Sequence, residues 1–357
     1  CYHSCIMPTD PKQITRYKQI MSTKVLVTLG PSSLSKDIVK SLADKGVDLF
    51  RINLSHTKLS DLGNILKQLN SWTEVPICLD SEGAQIRNQD MVSEQIHFKA
   101  GSTVKIHHQQ VVGDAENISF TPQSVSREFN VGDIIKVDFN AVRLKVFEDA
   151  NDYLIATVEN EGVAGSNKAA DLNRDIHLEA VTNKDKLAFA MGLKNGIKNF
   201  SLSFTNSADD VKEIREIIGS ETNLISKIES IKGVINLGEI LSVVDQILID
   251  RGDLSRQVPI EKIPFLQRRI ISYAKSKDVP VFVATNLLES MIKARSPTRA
   301  EVNDVASTLL MGAQGLVLAA ETAIGAHPLE TVDMVYSLIE QYNRWTPESS
   351  LSDIINN

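Results

Sequence analysis

Two pairs of side chains, each spaced by one residue, frame the chemistry this sequence can support. Lys227 and Glu229 flank Ile228, and Arg51 and Asn53 flank Ile52. On a strand, residues two apart share a face, so each pair can point into one cavity. Charges facing an apolar interior are costly unless they are paired or hold a ligand. Asp253 can join Glu229 as a second carboxylate, and such a pair suits Mg²⁺, which keeps its remaining positions for water and substrate oxygens. Lys227 beside that ion would be a point charge for a phosphate or an enolate oxygen. Arg51 and Arg87 add planar, phosphate-matching donors. Asn53, Ser55, Asp80 and Ser81 offer only oxygen, with one formal charge among them, a set that suits a monovalent cation. Each feature also has a plainer reading. Lys227–Glu229 reads equally as an internal ion pair, Asp253 and Thr285 as helix caps, Asp80-Ser81 as a turn, and His56 as a solvated residue near a cap. Only their joint placement points to chemistry.

That placement depends on the elements. Short runs rich in Val, Ile and Leu recur at Lys24–Leu29, Val47–Leu54, Val75–Leu79, Lys198–Phe204, Asn223–Ile228, Gln246–Asp250, Val279–Ala284 and Gly315–Ala319. Runs apolar on both faces fit buried parallel strands. Amphipathic helical stretches follow them at Asp37–Lys45, Ser60–Leu69, Lys184–Leu193, Asp209–Ile218, Glu261–Ser276, Ala300–Met311 and Leu329–Tyr342. Ser207 with Asp210, and Thr298 with Glu301, have the spacing of capping boxes. Eight strands alternating with helices predict an α/β fold, a closed (β/α)8 TIM barrel, whose chemistry gathers at the carboxyl ends of its strands. There stand Arg51, Asn53 and Ser55; Asp80-Ser81; Ser203-Phe204; Lys227 and Glu229; Asp250, Gly252 and Asp253; Thr285; and Glu321-Thr322. Between residues 88 and 178 the apolar period changes to two, at Val104–Ile106, Ile134–Asp138, Leu144–Phe147 and Tyr153–Val158. This reads as a small all-β lid domain inserted after strand 3. The organisation expected is a lead-in over 1–22, the barrel over 23–87 and 179–345, the lid over 88–178, and a frayed tail over 346–357.

Composition narrows the function classes. The 357 residues carry 38 Lys+Arg against 45 Asp+Glu, a net charge of −7 that argues against a nucleic-acid binder held by phosphate contacts. No apolar run approaches the ~20 residues a membrane-spanning helix needs. Three cysteines, Cys1, Cys5 and Cys78, are too few for a disulfide scaffold, which indicates a reducing, cytoplasmic setting. No secretory leader pattern is read at the start.

At these same residues the sequence resembles the pyruvate kinase family. The matching stretches are Thr23–Ser32, Phe50–His56, Leu79–Arg87, Ile225–Glu229, Arg251–Leu254, Ala284–Ile292, Pro297–Glu301 and Glu321–Ala323, with Val131–Asp133 and Val158–Lys168 in the insert. The resemblance implies phosphoryl transfer from phosphoenolpyruvate to ADP, with Mg²⁺ and with K⁺ as an additional ion. It implies that Lys227 stabilises the transferring phosphoryl group and the enolate, and that Glu229 and Asp253 hold Mg²⁺. It places the substrate carboxylate and enol face at Gly252, Asp253 and Thr285, and phosphate at Arg51. Asn53, Ser55, Asp80 and Ser81 match the K⁺ ligands. Arg87 and Lys168 match nucleotide contacts, with Asn53, His56 and Pro31 beside them. The partners implied are these small molecules, with a homo-oligomer through the barrel left open.

Several residues depart from the family pattern. Asp250 replaces a small residue, Glu82 a lysine, Ala84-Gln85 a Pro-Glu pair that bears on K⁺, Asn206 an arginine, Ala319-Ala320 a Ser-Gly pair, and Asp171 an asparagine. The family's carboxyl-terminal regulatory domain is not matched. These departures keep two other readings open: an enolate-forming lyase or decarboxylase acting on an oxo-acid at the same ion, and a non-catalytic binding protein on the same fold.

Overall fold

The computed structural model describes residues 23–356; the lead-in read over 1–22 lies outside them. The chain divides into two units. The first comprises the described residues through Gly83 together with those from Ala180 onward, and the second runs from Ala84 to Glu179.

The first unit opens with β1 (Lys24–Thr28), β2 (Leu49–Asn53) and β3 (Ile77–Asp80). The second unit supplies β4 (Ile86–Asn88), β5 (Ile96–Phe98), β6 (Thr103–His107), β7 (Asn117–Thr121), β8 (Ile134–Val137), β9 (Val142–Asp149), β10 (Tyr153–Asn160), β11 (Gly162–Ala164) and β12 (Ala169–Leu172). The chain then returns to the first unit for β13 (Asn199–Leu202), β14 (Asn223–Ile228), β15 (Gln246–Asp250), β16 (Val281–Ala284) and β17 (Gly315–Leu318).

In the first unit β1, β2, β3 and β13 to β17 pair in parallel and close into an eight-stranded barrel. This is the TIM barrel that the eight apolar runs predict. Strand parity explains what lies inside. Leu26, Leu49, Cys78, Ile225, Leu248, Phe282, Ala284 and Val317 form one buried cluster. Their neighbours along the strands, such as Val25, Val27, Phe50, Leu79 and Leu316, pack outward with residues of the surrounding helices. With side chains alternating faces, the interior set continues to Arg51 and Asn53 from Leu49, to Asp80 from Cys78, to Lys227 and Glu229 from Ile225, and to Asp250 from Leu248. Gly315 sits on β17 where a Cβ would come within 1.8 Å of the Phe282 ring. The missing side chain there is the space the phenyl group occupies.

Both capping boxes form. Ser207 and Asp210 start the helix Ala208–Ile218, and Thr298 and Glu301 start Arg299–Met311. A third, Thr182 with Asp185, starts Asn183–Lys194. The stretch read as one helix from Glu261 begins as a 3-10 turn at Ile260–Lys262 and becomes α-helical at Ile263–Lys275. Residues 346–357 read as a frayed tail, yet Leu351–Asn356 form a helix. Ser350 and Asp353 bond reciprocally at its start, a cap that polar composition alone conceals. No helix among the described residues is long and apolar enough to cross a membrane.

The second unit closes a barrel of its own in the order β10-β6-β7-β4-β12-β8-β9, with β5 and β11 paired separately. Its core is built from period-two positions such as Val104, Ile106, Leu144, Val146, Leu154 and Ala156. The division after Gly83 assigns Gln85 and Arg87 to this unit.

Candidate active site

The interior positions at the ends of β2, β3, β14 and β15 converge on one ammonium group. Lys227 Nζ lies 3.2 Å from Glu229 Oε2, 3.6 Å from Asp80 Oδ2 and 3.7 Å from Asp250 Oδ2. It donates to Ser203 Oγ at 3.1 Å, and Ser203 Oγ donates to the Ser81 carbonyl at 2.7 Å. Arg51 Nη1 stands 3.2 Å from Asp80 Oδ2, while its Nε donates to Thr28 Oγ1 at 2.9 Å. Lys227, Asp80, Glu229, Arg51 and Asp250 are all buried, none more than 5% exposed.

Burial by itself would push the Lys227 ammonium toward its neutral form. The charges of Asp80, Glu229 and Asp250 outweigh that, and its pKa is raised above the ordinary lysine value. Glu229 has the opposite balance. Burial pushes its carboxyl up to about 8 despite the pull of Lys227, with Asp253, Asp250 and Asp80 adding to the rise. Burial and the Asp253 charge raise Asp250 in the same direction. The cluster therefore holds its lysine firmly charged and carries more acid than that lysine can neutralise.

Glu229, Asp250 and Asp253 each place one carboxylate oxygen within 4.8 Å of the other two. Glu229 Oε1 accepts the Phe204 N–H at 2.7 Å, whereas Oε2, wholly buried, accepts no hydrogen bond among the described residues. An all-oxygen donor set, with the buried Glu229 Oε2 facing the Lys227 ammonium at 3.2 Å but not aligned for a hydrogen bond, fits a hard divalent cation. Sequence spacing drew Glu229 and Asp253 to this site but left Asp250 unassigned. Its signal was strand parity with Leu248.

Asp250 also caps the helix Arg251–Gln257 by accepting from the Asp253 N–H at 3.4 Å. Thr285 Oγ1 accepts the Gly252 N–H at 2.8 Å and lies 3.1 Å from Asp250 Oδ1. Arg251 Nη2 donates to the Thr285 carbonyl at 2.6 Å. Thr285 has φ 68° and Phe204 φ 52°. Left-handed backbone is costly, above all for a β-branched threonine, and persists where surrounding contacts impose it. Both strained residues adjoin the acidic cluster. Arg256, which sequence reasoning passed over, holds Asp253 Oδ1 at 2.9 Å and stacks 5.9 Å from the Phe204 ring centroid.

Of the four residues matched to K⁺, Asp80 and Ser81 belong to this network, and Asn53 and Ser55 bond to each other at the end of β2. Asn53 Oδ1 accepts the Ser55 N–H at 2.9 Å, and Ser81 Oγ accepts the Ser203 N–H at 2.9 Å. Asp80 Oδ1 is buried without a hydrogen-bond donor among the described residues, an oxygen chemistry that fits a monovalent cation. His56 ends a 3-10 turn (Leu54–His56) and is exposed, and Pro31 is exposed in the turn after β1. Glu321 and Thr322 serve the scaffold instead. Glu321 accepts the Leu288 and Ala319 N–H groups, and Thr322 donates to the Thr28 carbonyl at 2.8 Å. Within the second unit, Arg87 donates to Gln85 Oε1 at 3.0 Å and to the Asn167 carbonyl at 2.7 Å. Lys168 lies 3.3 Å from Asp138 there.

The chain matches the family model "Pyruvate kinase, barrel domain" over residues 20–332. It is 32% identical over 329 residues to the pyruvate kinase of Thermotoga maritima, covering 90% of this chain and 71% of that one. It is 33% identical over 328 residues to the Geobacillus stearothermophilus enzyme, covering 88% of this chain and 56% of that one. The corresponding figures for Dictyostelium discoideum pyruvate kinase are 33% over 333 residues, 89% and 66%. With the barrel, the strand-end cluster and these relatives in agreement, the chain belongs to the pyruvate kinase family of phosphotransferases.

Proposed function

We propose that this chain transfers the phosphoryl group of phosphoenolpyruvate to ADP at the mouth of its barrel. The observation that carries the reading is the buried Lys227 ammonium held between Glu229, Asp80 and Asp250, 3.2 to 3.7 Å from their oxygens. Bound Mg²⁺, held by Glu229 and Asp253, would neutralise charge on the phosphoryl oxygens. Lys227 and Arg51 supply fixed positive charge where the transferring group and the enolate oxygen need it. Both are held by buried partners, so little reorganisation is required as charge develops. The Gly252 and Asp253 N–H groups and the Thr285 hydroxyl orient the substrate carboxylate. Thr285 stands on the side from which the enolate takes its proton. Asn53, Ser55, Asp80 and Ser81 are proposed for K⁺. Arg87, Lys168, Asn53, His56 and Pro31 are proposed for the nucleotide, so variants at these positions should raise KM for the diphosphate selectively.

The test is a coupled pyruvate assay with phosphoenolpyruvate, Mg²⁺ and a panel of nucleoside diphosphates, with and without K⁺. Turnover that requires both substrates and Mg²⁺ supports the reading, and none under any combination overturns it. A second reading draws on the completeness of the Lys227 cluster within the first unit: an enolate-forming decarboxylase, which needs no nucleotide. Pyruvate released from oxaloacetate alone, with none from phosphoenolpyruvate and ADP, would favour it.

A further inference from the structure

Asp250 is buried on the interior face of β15, two residues beyond the core residue Leu248. Its two oxygens have different surroundings. Oδ1 faces the Thr285 hydroxyl at 3.1 Å and the Asp253 N–H at 3.4 Å. Oδ2 faces Lys227 Nζ at 3.7 Å, the same ammonium that Glu229 Oε2 approaches to 3.2 Å. Glu229 Oε2 is buried and meets that ammonium without the alignment of a hydrogen bond. Asp253, the third member of the cluster, shares its carboxylate with Arg256 at 2.9 Å. Asp80, Glu229 and Asp250 thus gather around Lys227, Arg51 pairs with Asp80, and Asp253 lies beside Glu229 and Asp250 with Arg256 paired to it. Negative charge in excess inside a barrel is costly, and a bound cation offsets it.

We propose that Asp250 is a third carboxylate ligand of the divalent-ion site, and that it tightens the hold of the substrate-free protein on the ion. The proposal rests on the Mg²⁺ reading of Glu229 and Asp253. Mg²⁺ at phosphoryl-transfer sites is ordinarily held by one or two carboxylates together with substrate oxygens. A third carboxylate takes a position otherwise left to water or substrate and adds a full charge. It also offsets the share of Asp253 that Arg256 holds.

The experiment titrates Mn²⁺, a paramagnetic substitute for Mg²⁺, into the full chain without substrate and reads free Mn²⁺ by electron paramagnetic resonance. The wild type should bind Mn²⁺ unaided. Asp250→Asn should weaken that binding at least ~10-fold, a loss that even outer partners of a metal site can produce. Asparagine keeps an oxygen for the helix cap, and a circular-dichroism melt checks folding. Asp250→Ser, which keeps a capping hydroxyl, is the second variant if the first does not fold. Unchanged Mn²⁺ affinity in a folded Asp250 variant overturns this proposal and leaves the ion site standing. A wild type that takes up Mn²⁺ only when oxalate is added overturns it as well. No uptake with or without oxalate overturns the ion site itself.

Discussion

Thr285 Oγ1 stands 3.1 Å from Asp250 Oδ1, across the β15–β16 seam where Asp250 pairs with Ala284. The same hydroxyl oxygen accepts the Gly252 N–H at 2.8 Å and lies 2.6 Å from the Ala284 carbonyl. A hydroxyl has one proton, so it serves either the carboxylate or the carbonyl at a given moment. This corner joins the strained end of β16, the start of the helix Arg251–Gln257 and the acidic cluster. A substrate carboxylate at the proposed Gly252 and Asp253 site would compete with Thr285 Oγ1 for the Gly252 N–H and with Asp250 for the Asp253 N–H.

Lys227 is the group whose removal should cost most. Lys227→Met should lower kcat at least ~10²-fold in the coupled pyruvate assay, the scale of deleting one preorganised electrostatic group. The variant also leaves three carboxylates without their ammonium, and breaking a buried pair costs about 3–5 kcal/mol. Turnover must therefore be normalised to folded protein by circular dichroism. Full turnover per folded molecule would refute the role given to Lys227.

A divalent ion that binds the folded chain and not the unfolded one stabilises it by mass action. At a hundredfold excess over Kd the gain is about 2.7 kcal/mol. For a protein of this length, with an unfolding entropy of about 2 cal/mol/K per residue, each kcal/mol is worth roughly 1–2 °C. Mg²⁺ should therefore raise Tm by several degrees, and a chelator should reverse the rise. An unchanged Tm across a millimolar titration would count against the cluster as an ion site.

Glu301 offers a pH-dependent test away from that cluster. Its carboxylate accepts from Ser290 N and Oγ at 2.6 Å each, and from Thr298 N at 2.7 Å and Oγ1 at 2.9 Å. Burial works to raise its pKa, but these hydrogen bonds prevail and hold it below the usual glutamate value of 4.5. A depressed folded-state pKa stabilises above the unfolded value, and the contribution is lost as pH falls through the folded one. Glu301→Gln should cost about 1–2 kcal/mol at pH 7. In urea titrations the gap from wild type should shrink as pH falls below 4.5. A gap that stays constant would assign the effect to shape instead of charge.

The barrel was legible because every strand is apolar on both faces and short. Strand parity then carries Lys227 and Glu229 inward from Ile225, and Arg51 and Asn53 from Leu49. The same rule reaches Asp250 from Leu248, and the sequence places it among the strand-end residues, but as a departure from the family pattern it carries no ligand role there. In the structure it also caps the helix Arg251–Gln257. The second unit was less legible for a different reason. β4, β5 and β11 are three residues long, too short to display a period. Their partners are distant in sequence, as in β12 pairing with both β4 and β8. Arg256 carried one local signal, its spacing of three from Asp253 on one helix, whereas its contact with Phe204, on another strand end, has no trace in local sequence.

Gly315 should tolerate no side chain while Phe282 fills the barrel interior. A Cβ there would lie 1.8 Å from one ring carbon and 2.1 Å from the next. Gly315→Ala should destabilise by at least the ~1–3 kcal/mol of an overpacked core. Phe282→Leu should recover part of that loss, because residues in contact do not add independently. The check is a double-mutant cycle by urea denaturation. Additive losses would show that the ring moves aside without penalty.

Thr285 separates strain from chemistry in one position. At φ 68° its β-branched side chain sits in backbone space that favours other residues. Thr285→Ser relieves part of that crowding and keeps the hydroxyl that accepts from Gly252 N–H. It should retain most activity with equal or higher Tm. Thr285→Val keeps the shape and removes the oxygen. The Gly252 N–H then loses its acceptor, at about 1–3 kcal/mol where the site is dry, and the enolate would lose the group proposed to stand on its protonation side. Its kcat should fall by roughly 10²-fold or more, within the range ascribed to general acid–base groups. Exchange of the pyruvate methyl protons with deuterated solvent, followed by proton NMR, isolates that step from phosphoryl transfer. If Thr285→Val exchanges those protons as fast as Thr285→Ser, the hydroxyl has no part in moving the proton and Thr285 is there only to set the turn.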